Sequence, residues 1–166
     1  HVQLLHPSDV DQLQALGLTA SMQPIHATSD MDIADQHWGK RAALAYAWKT
    51  LEAQGTKLIF GSDAPVESAN PFYGIHAAVT RRRQNGYPST DGWYPAERLT
   101  LKSALAGFTY LPAEISGWGS KLGRLSVGSY ADLIVLDRDP FAVPSDELYT
   151  LLPSRIRACD GLLCCG

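Results

Sequence analysis

The stretch Thr56-Lys-Leu-Ile-Phe-Gly-Ser-Asp-Ala-Pro-Val66 joins a short apolar run to a carboxylate on a turn of small residues. The continuous run Leu58-Ile59-Phe60 predicts a parallel strand that is covered on both faces. Asp63 follows this strand directly, after a close turn at Gly61. Because the C-terminal ends of barrel strands carry the chemistry of α/β barrels, the stretch predicts a catalytic acid. The alternative is that Ser62 and Asp63 only terminate a strand as an Asx turn.

Length and composition limit the fold and the partners. The chain has 166 residues, whereas a complete (β/α)8 barrel needs roughly 250, so any barrel here is partial. Hydrophobic residues at 45% and charged residues at 19% are typical of a globular protein and predict neither disorder nor a membrane partner. The net charge of -3 argues against a nucleic-acid partner. The basic run 81–83 is interpreted as a solvated face near a helix end.

Targeting and redox signals are weak. The chain starts at His1 without a charged and apolar leader pattern, which leaves localisation open and favours the cytoplasm. Cys159, Cys164 and Cys165 lack the paired spacing of a zinc ribbon or a disulfide framework. They are expected to be free thiols in or beside a strand.

The first two thirds of the chain predict alternating helices and strands. A strand is predicted over 19–23 and a polar loop follows through His26. Helices are predicted where apolar residues recur at helical spacing after a capping residue or before a glycine. They cover residues 8–16, 40–54, 70–84 and 100–110.

Beyond Gly117 the pattern changes to short runs between glycines, which predicts a small β unit. Within it, 131–136 is an apolar strand, Pro144-Ser145 begins a short helix, and Asp160-Gly161 is a hairpin turn between candidate strands.

Several segments, in one order over nearly the whole chain, resemble the amidohydrolase superfamily of metal-dependent hydrolases, in the branch of N-substituted formamide deformylases. The matching segments are 1–3, 21–26 (SMQPIH), 60–66 (FGSDAPV), 74–81 (GIHAAVTR), 97–100, 123–125, 128–137 (GSYADLIVLD) and 139–141. This collinearity makes the resemblance specific, although each short motif is common.

The resemblance implies an α/β fold: the C-terminal part of a (β/α)8 TIM barrel, followed by a segment of a small β-sandwich domain. The barrel part would cover 1–116 and the β-sandwich segment 117–166. The family's His-x-His pair, its bridging Lys or acidic residue and the histidine after the fifth strand have no counterpart here. The chain therefore resembles roughly the C-terminal third of such an enzyme.

The resemblance also implies a site with a divalent metal, zinc by preference, as one or two ions. His1 would be the metal-binding histidine after the sixth barrel strand. Asp63, after the eighth strand, would contact the metal and transfer protons while a metal-activated water hydrolyses an amide or cyclic amide C–N bond. The alternative for His1 is a frayed terminal histidine.

Other polar and aromatic residues are weaker candidates. His26, close after Pro24, could hydrogen-bond the substrate or its developing oxyanion, or it could be a loop histidine facing water. Asp30 ranks below it. Trp93 and Tyr94 could line a substrate pocket, but such residues more often pack a loop against its scaffold. Structural roles are expected for His6, His37 and His76.

Two functions remain open at this stage. One is a metal-dependent hydrolase for small amide-type substrates; the other is a catalytically silent structural or binding module that keeps the scaffold. A zinc site needs at least three protein ligands, so the 166 residues alone are predicted to bind metal weakly and to lack turnover. The incomplete barrel should require its missing N-terminal part or self-associate, with a homo-oligomer as one outcome.

Overall fold

The computed structural model describes residues 1–158, which form a mixed α/β structure. The strands are β1 (Thr19–Met22), β2 (Lys57–Phe60), β3 (Leu133–Leu136) and β4 (Pro153–Arg157). The α-helices are α1 (Gln12–Ala15), α2 (Pro24–Trp38), α3 (Trp48–Ala53), α4 (Pro71–Thr80), α5 (Leu101–Phe108) and α6 (Tyr110–Ile115). Short 3-10 helices span Pro7–Asp9, Gly39–Leu44, Pro95–Glu97 and Ser145–Thr150. The three cysteines and the Asp160-Gly161 turn lie outside the described residues.

Strands β1 and β2 form a parallel pair, which confirms the two strands predicted in the first two thirds of the chain. Ala20 pairs with Leu58 and Met22 with Phe60, and these four side chains are buried. Helices α2 and α3 lie between the two strands in the chain, as a parallel crossover requires. Because parallel strands end at the same edge of the sheet, the residues after β1 and after β2 are brought together.

The polar loop expected after β1 is wrong, because residues Pro24–Trp38 form helix α2. Pro24 occupies the first helical turn, where its missing N–H costs nothing. Ala27, Met31 and Ala34 recur at helical spacing and are buried. The polar residues between them obscured this pattern, and the helix ends at Gly39, whose φ is 53°.

The single helix expected over 40–54 is also wrong. The segment instead forms a 3-10 helix and helix α3, with Ala45, Tyr46 and Ala47 between them. Tyr46 has a φ of 51°, which a helix does not allow. The backbone carbonyl oxygens of Ala45 and Tyr46 accept hydrogen bonds from the Arg81 guanidinium. A contact from a distant part of the chain therefore interrupts the local helical pattern.

The predicted caps of α4 and α5 are confirmed. Asn70 Oδ1 accepts from the backbone N–H of Phe72, and Thr100 Oγ1 accepts from that of Ser103. Helix α4 ends earlier than expected, at Thr80, because Arg81 takes a left-handed conformation with φ of 54°.

The first predicted helix, 8–16, is shorter in the structure. A 3-10 turn over Pro7–Asp9 precedes α1, and Asp11 rather than Ser8 is the residue before the α-helix. Gly17 ends the segment as predicted, with a φ of 67°.

The C-terminal segment contributes to the same core as the preceding helices and strands. Strands β3 and β4 pair in antiparallel fashion. The 3-10 helix Ser145–Thr150 packs on α4, and Leu148 and Leu151 are buried in the main hydrophobic cluster. No helix in residues 1–158 has the length and apolar character that crossing a membrane requires.

Candidate functional site

Asp63 lies three residues beyond the C-terminal end of β2, at the sheet edge that β1 shares. Its φ of 58° is left-handed, a conformation that Asp adopts more readily than most side chains but still at a cost. Its carbonyl oxygen accepts from the backbone N–H of Val66 at 2.8 Å, which closes a turn. The side chain is 37% exposed, so its carboxylate lies at this edge of the sheet and is open to solvent.

His26 lies in the first turn of α2, not in a loop as expected. Its side chain is only 10% exposed, and its Nε2 lies 3.6 Å from Asp63 Oδ2. This nitrogen is buried and has no hydrogen-bond partner within residues 1–158. An unpaired buried polar atom is costly, and here it points at the open carboxylate.

His1 is exposed and lies beside His26. The two ring centroids are 5.3 Å apart. Segment 1–5 is held beside residues 44–46, where the N–H of Tyr46 donates to the carbonyl of Gln3 at 3.0 Å. His1 Nδ1 lies 2.5 Å from Oε1 of Gln23. The Gln23 side chain therefore contacts the His1 ring.

His1, His26 and Asp63 form one cluster, in which one ligand atom from each residue lies within 4.8 Å of the others. In residues 1–158 this is the only group of three or more His, Cys, Asp or Glu side chains with such geometry. Two imidazole nitrogens and a carboxylate oxygen form a donor set that suits Zn²⁺. The structure thus brings together all three site residues that the sequence predicted.

Two further residues around the cluster escaped sequence reasoning. Gln23 contacts His1, and its only signal was its place in the matched segment 21–26. Glu67 Oε1 accepts from Ser29 Oγ at 2.5 Å, which ties the loop that carries Asp63 to helix α2. No pattern in the sequence indicated this pair.

Asp30 is engaged elsewhere, away from the three-residue cluster. It accepts from the Tyr46 hydroxyl, which also accepts from Gln3 Nε2 at 3.2 Å. Burial, reinforced by the Asp30 carboxylate, raises the pKa of Tyr46 above its ordinary value. This network braces segment 1–5 against α2 rather than presenting Asp30 at the rim.

The remaining histidines lie within the secondary structure, away from the three-residue cluster. His6 caps the first 3-10 turn, and His37 lies in the last turn of α2 rather than in a loop. His76 is buried in α4, in edge contact with Tyr149. Burial lowers the pKa of His76 to about 4.

Arg81 overturns the interpretation of 81–83 as a solvated face. It is fully buried, with its guanidinium between the rings of Trp48 and Trp93 at 4.6 and 4.7 Å from their centroids. Trp93 also donates to Asp35. This aromatic loop therefore packs against its scaffold, as the second interpretation of Trp93 and Tyr94 had it.

Residues 1–158 match the model of the family described as "Amidohydrolase family". The chain is 34% identical over 155 residues to the putative amidohydrolase YtcJ of Bacillus subtilis, covering 91% of the chain and 28% of that protein. It is 36% identical over 109 residues to N-substituted formamide deformylase of Arthrobacter pascens, covering 66% of the chain and 19% of the relative.

Among solved structures, the chain is similar to an uncharacterized metal-dependent hydrolase from Pyrococcus horikoshii. The TM-score is 0.75 at 31% identity, over 87% of this chain and 29% of that one. The 166 residues thus span less than a third of each of these three proteins. The likeness is consistent with a partial TIM-barrel region.

Proposed function

Since this chain belongs to the amidohydrolase family, we propose that it forms the C-terminal part of a metal-dependent hydrolase that cleaves an amide or cyclic amide C–N bond. The barrel part is assigned to 1–116 and the small β-sandwich segment to 117–166. The observation that carries this proposal is the convergence of His1, His26 and Asp63 at the C-terminal edge of the parallel strands. Such convergence favours an enzyme over a silent module with the same scaffold.

The residues present fit a divalent metal, with zinc as the preferred ion. One ligand atom each of His1, His26 and Asp63 lies within 4.8 Å of the others, and an imidazole nitrogen with a carboxylate oxygen is a pair of donors that zinc accepts. His1 and Asp63 are assigned as ligands. When bound, the metal would polarise the scissile carbonyl and lower the pKa of water from about 15.7 to about 7.

Asp63 is assigned the proton transfers. A turn after strand β2 holds the backbone of Asp63, which keeps its carboxylate at one position in the site. It accepts a proton from the attacking water and returns this proton to the leaving nitrogen, which makes the amine a better leaving group. Its partial exposure leaves room for both the water and the substrate.

His26 is assigned to the substrate. Its Nε2, as an N–H donor, would hydrogen-bond the oxygen that becomes negative when the carbonyl is attacked. The first turn of α2, which carries it, places the positive end of a helix dipole on the same side. Both effects stabilise developing negative charge.

Membership of the family supports a small amide as the substrate class. The name of the deformylase relative refers to N-substituted formamides. These are the first compounds to assay, followed by acyl-amino acids and cyclic ureides. The 166 residues alone are proposed to bind metal weakly and to lack turnover, because they span less than a third of these relatives and a zinc site needs at least three protein ligands. The rest of a barrel is proposed as the partner that completes the site.

The decisive experiment compares Asp63→Asn with the parent, in a protein that joins these residues to a complete barrel. We expect kcat to fall by about 10²- to 10⁴-fold, the size of a lost general base. Asp91→Asn, an exposed change on another loop, is the matched control and should keep full turnover. If Asp63→Asn cleaves the same formamide at the parental rate, Asp63 is not the proton-transfer group.

A further inference from the structure

We propose that Gln23 is a positioning residue: its side-chain carbonyl fixes the tautomer of His1 so that His1 presents a free Nε2 to the cluster. This inference rests on the metal centre proposed above. It concerns a residue that contacts neither the substrate nor the metal, and acts only through the imidazole of His1.

The tautomer follows from the contact between the two side chains. His1 Nδ1 lies 2.5 Å from Gln23 Oε1, and a carbonyl oxygen can only accept. Nδ1 must therefore carry the proton. A neutral imidazole has one N–H, so Nε2 keeps its lone pair. Only such an unprotonated nitrogen can bind a metal ion.

The backbone explains why Gln23 is available for this task. Gln23 follows β1 directly and is the residue before helix α2, with extended φ and ψ of -126° and 99°. Residues at this position commonly use their side chain to cap the helix, but Gln23 makes no such bond. Its backbone carbonyl instead accepts from the N–H of His26 at 3.0 Å. The side chain is thus free to reach His1.

Residues 23–26 thereby position both His1 and His26. Gln23 holds the His1 ring through its side chain, and the first turn of α2 holds His26 three residues later. Outer partners that orient ligand histidines typically contribute 10- to 100-fold in metal affinity. A reversed amide would give the opposite result, because Gln23 Nε2 would donate to Nδ1 and place the proton of His1 on Nε2.

The test uses the 166-residue chain with one residue added before His1, so that the α-amino group does not compete for metal. Ring ¹⁵N shifts at pH 8 report the tautomer of His1 without metal, and calorimetric titration with Zn²⁺ reports affinity. We compare Gln23→Met, which removes the acceptor, with Gln23→Glu, which keeps one. Gln84→Met, on an exposed position, is the matched control.

We expect the Nδ1–H form of His1 in the parent and in Gln23→Glu, and loss of this preference in Gln23→Met. Zn²⁺ affinity should fall about 10- to 100-fold in Gln23→Met and stay near the parental value in Gln23→Glu and Gln84→Met. An Nε2–H form in the parent overturns the inference, and so does equal affinity for Gln23→Met and Gln84→Met.

His1→Ala separates this inference from the proposed function. If His1→Ala leaves Zn²⁺ affinity unchanged, the metal centre itself is wrongly assigned. If His1→Ala weakens binding and Gln23→Met does not, only the role of Gln23 is wrong. Far-UV circular dichroism of each variant confirms that the chain is folded during the titration.

Discussion

Arg81 and the cluster of His1, His26 and Asp63 are two polar sites that differ in how they are satisfied. Within residues 1–158, the three hydrogen bonds of the Arg81 guanidinium go to backbone carbonyls of this chain: those of Ala45, Tyr46 and Trp93. In the cluster, His26 Nε2 has no such partner within residues 1–158.

This difference distinguishes a polar residue that supports the fold from polar residues that form a binding site. A buried charge that the fold surrounds with its own acceptors stabilises the packing of the elements that supply them. A buried donor that the fold leaves unpaired reduces stability unless something outside the chain completes it. Arg81 is therefore interpreted as a structural residue, and the three-residue cluster as a binding site.

The largest expected effect is at Arg81. Arg81→Met should lower the free energy of unfolding by roughly 3–5 kcal/mol, because three buried carbonyls lose their donor at once. Urea unfolding followed by tryptophan fluorescence measures this change. Arg124→Met, at an exposed position, should shift the midpoint little. Equal midpoints for the two variants would remove the contrast between the two sites.

A smaller effect is expected from pH at His76. The folded protein holds the pKa of His76 at about 4, below the value near 6.5 of an unfolded chain, so the unfolded state binds more protons between these values. Stability should therefore fall by on the order of 2 kcal/mol as the pH is lowered from 6.5 to 4. Asp146, Arg82 and Tyr149 face the ring.

The control for this pH dependence is His76→Phe, which keeps an aromatic ring against Tyr149 and cannot titrate. Its unfolding free energy should be nearly flat over the same window. A parental slope in this variant would mean that another group causes the loss.

Steric crowding against β2, the strand that precedes Asp63, should have a still smaller effect on the free energy of unfolding. A Cβ at Gly107 would lie 2.3 Å from the Phe60 ring, and Phe60 is the last residue of β2. Gly107→Ala should lower the free energy of unfolding by about 1–2 kcal/mol, since overpacking outweighs the better helix propensity. Gly61→Ala, which meets nothing within 4 Å, is the matched control for thermal unfolding. A gain in stability at Gly107 would show that Phe60 moves aside freely.

The smallest effect on stability is expected at Asp63, in contrast to the large effect expected at Arg81. Asp63→Asn should change the free energy of unfolding by less than about 0.5 kcal/mol, because the partly exposed carboxylate gives the fold little. The same variant should weaken Zn²⁺ binding by about tenfold or more, measured by titration, as a neutral amide is a poorer ligand. Large destabilisation with unchanged Zn²⁺ affinity would make Asp63 a structural residue instead.

The sequence predicted the parts of the fold that local pattern controls. Strand β2 follows from a short apolar run, β1 from a short segment stopped by Pro24, and the starts of α4 and α5 from Asn70 and Thr100. The position of Asp63 at the strand end follows from the same reasoning. The convergence of His1 with Asp63 came from family resemblance, since nothing local connects residues so far apart.

Several of the failures share one physical cause, which is contact between distant segments. The break at Tyr46 and the burial of Arg81 depend on each other, and neither is visible in its own neighbourhood. Helix α2 was missed because its apolar stripe consists mostly of alanines among polar residues. Gln23 has a role only once the position of His1 is known.

The docking of the 3-10 helix Ser145–Thr150 on α4 has a consequence for how the chain is made. Arg82 and Asp146 pair across this contact at 2.8 Å, and Leu148 and Leu151 fill the core beside it. On the ribosome, α4 emerges long before these residues, so its apolar face stays uncovered while the intervening segment is synthesised. A nascent chain stalled before Leu148 should therefore be a substrate for chaperones, and release past Leu151 should end that dependence.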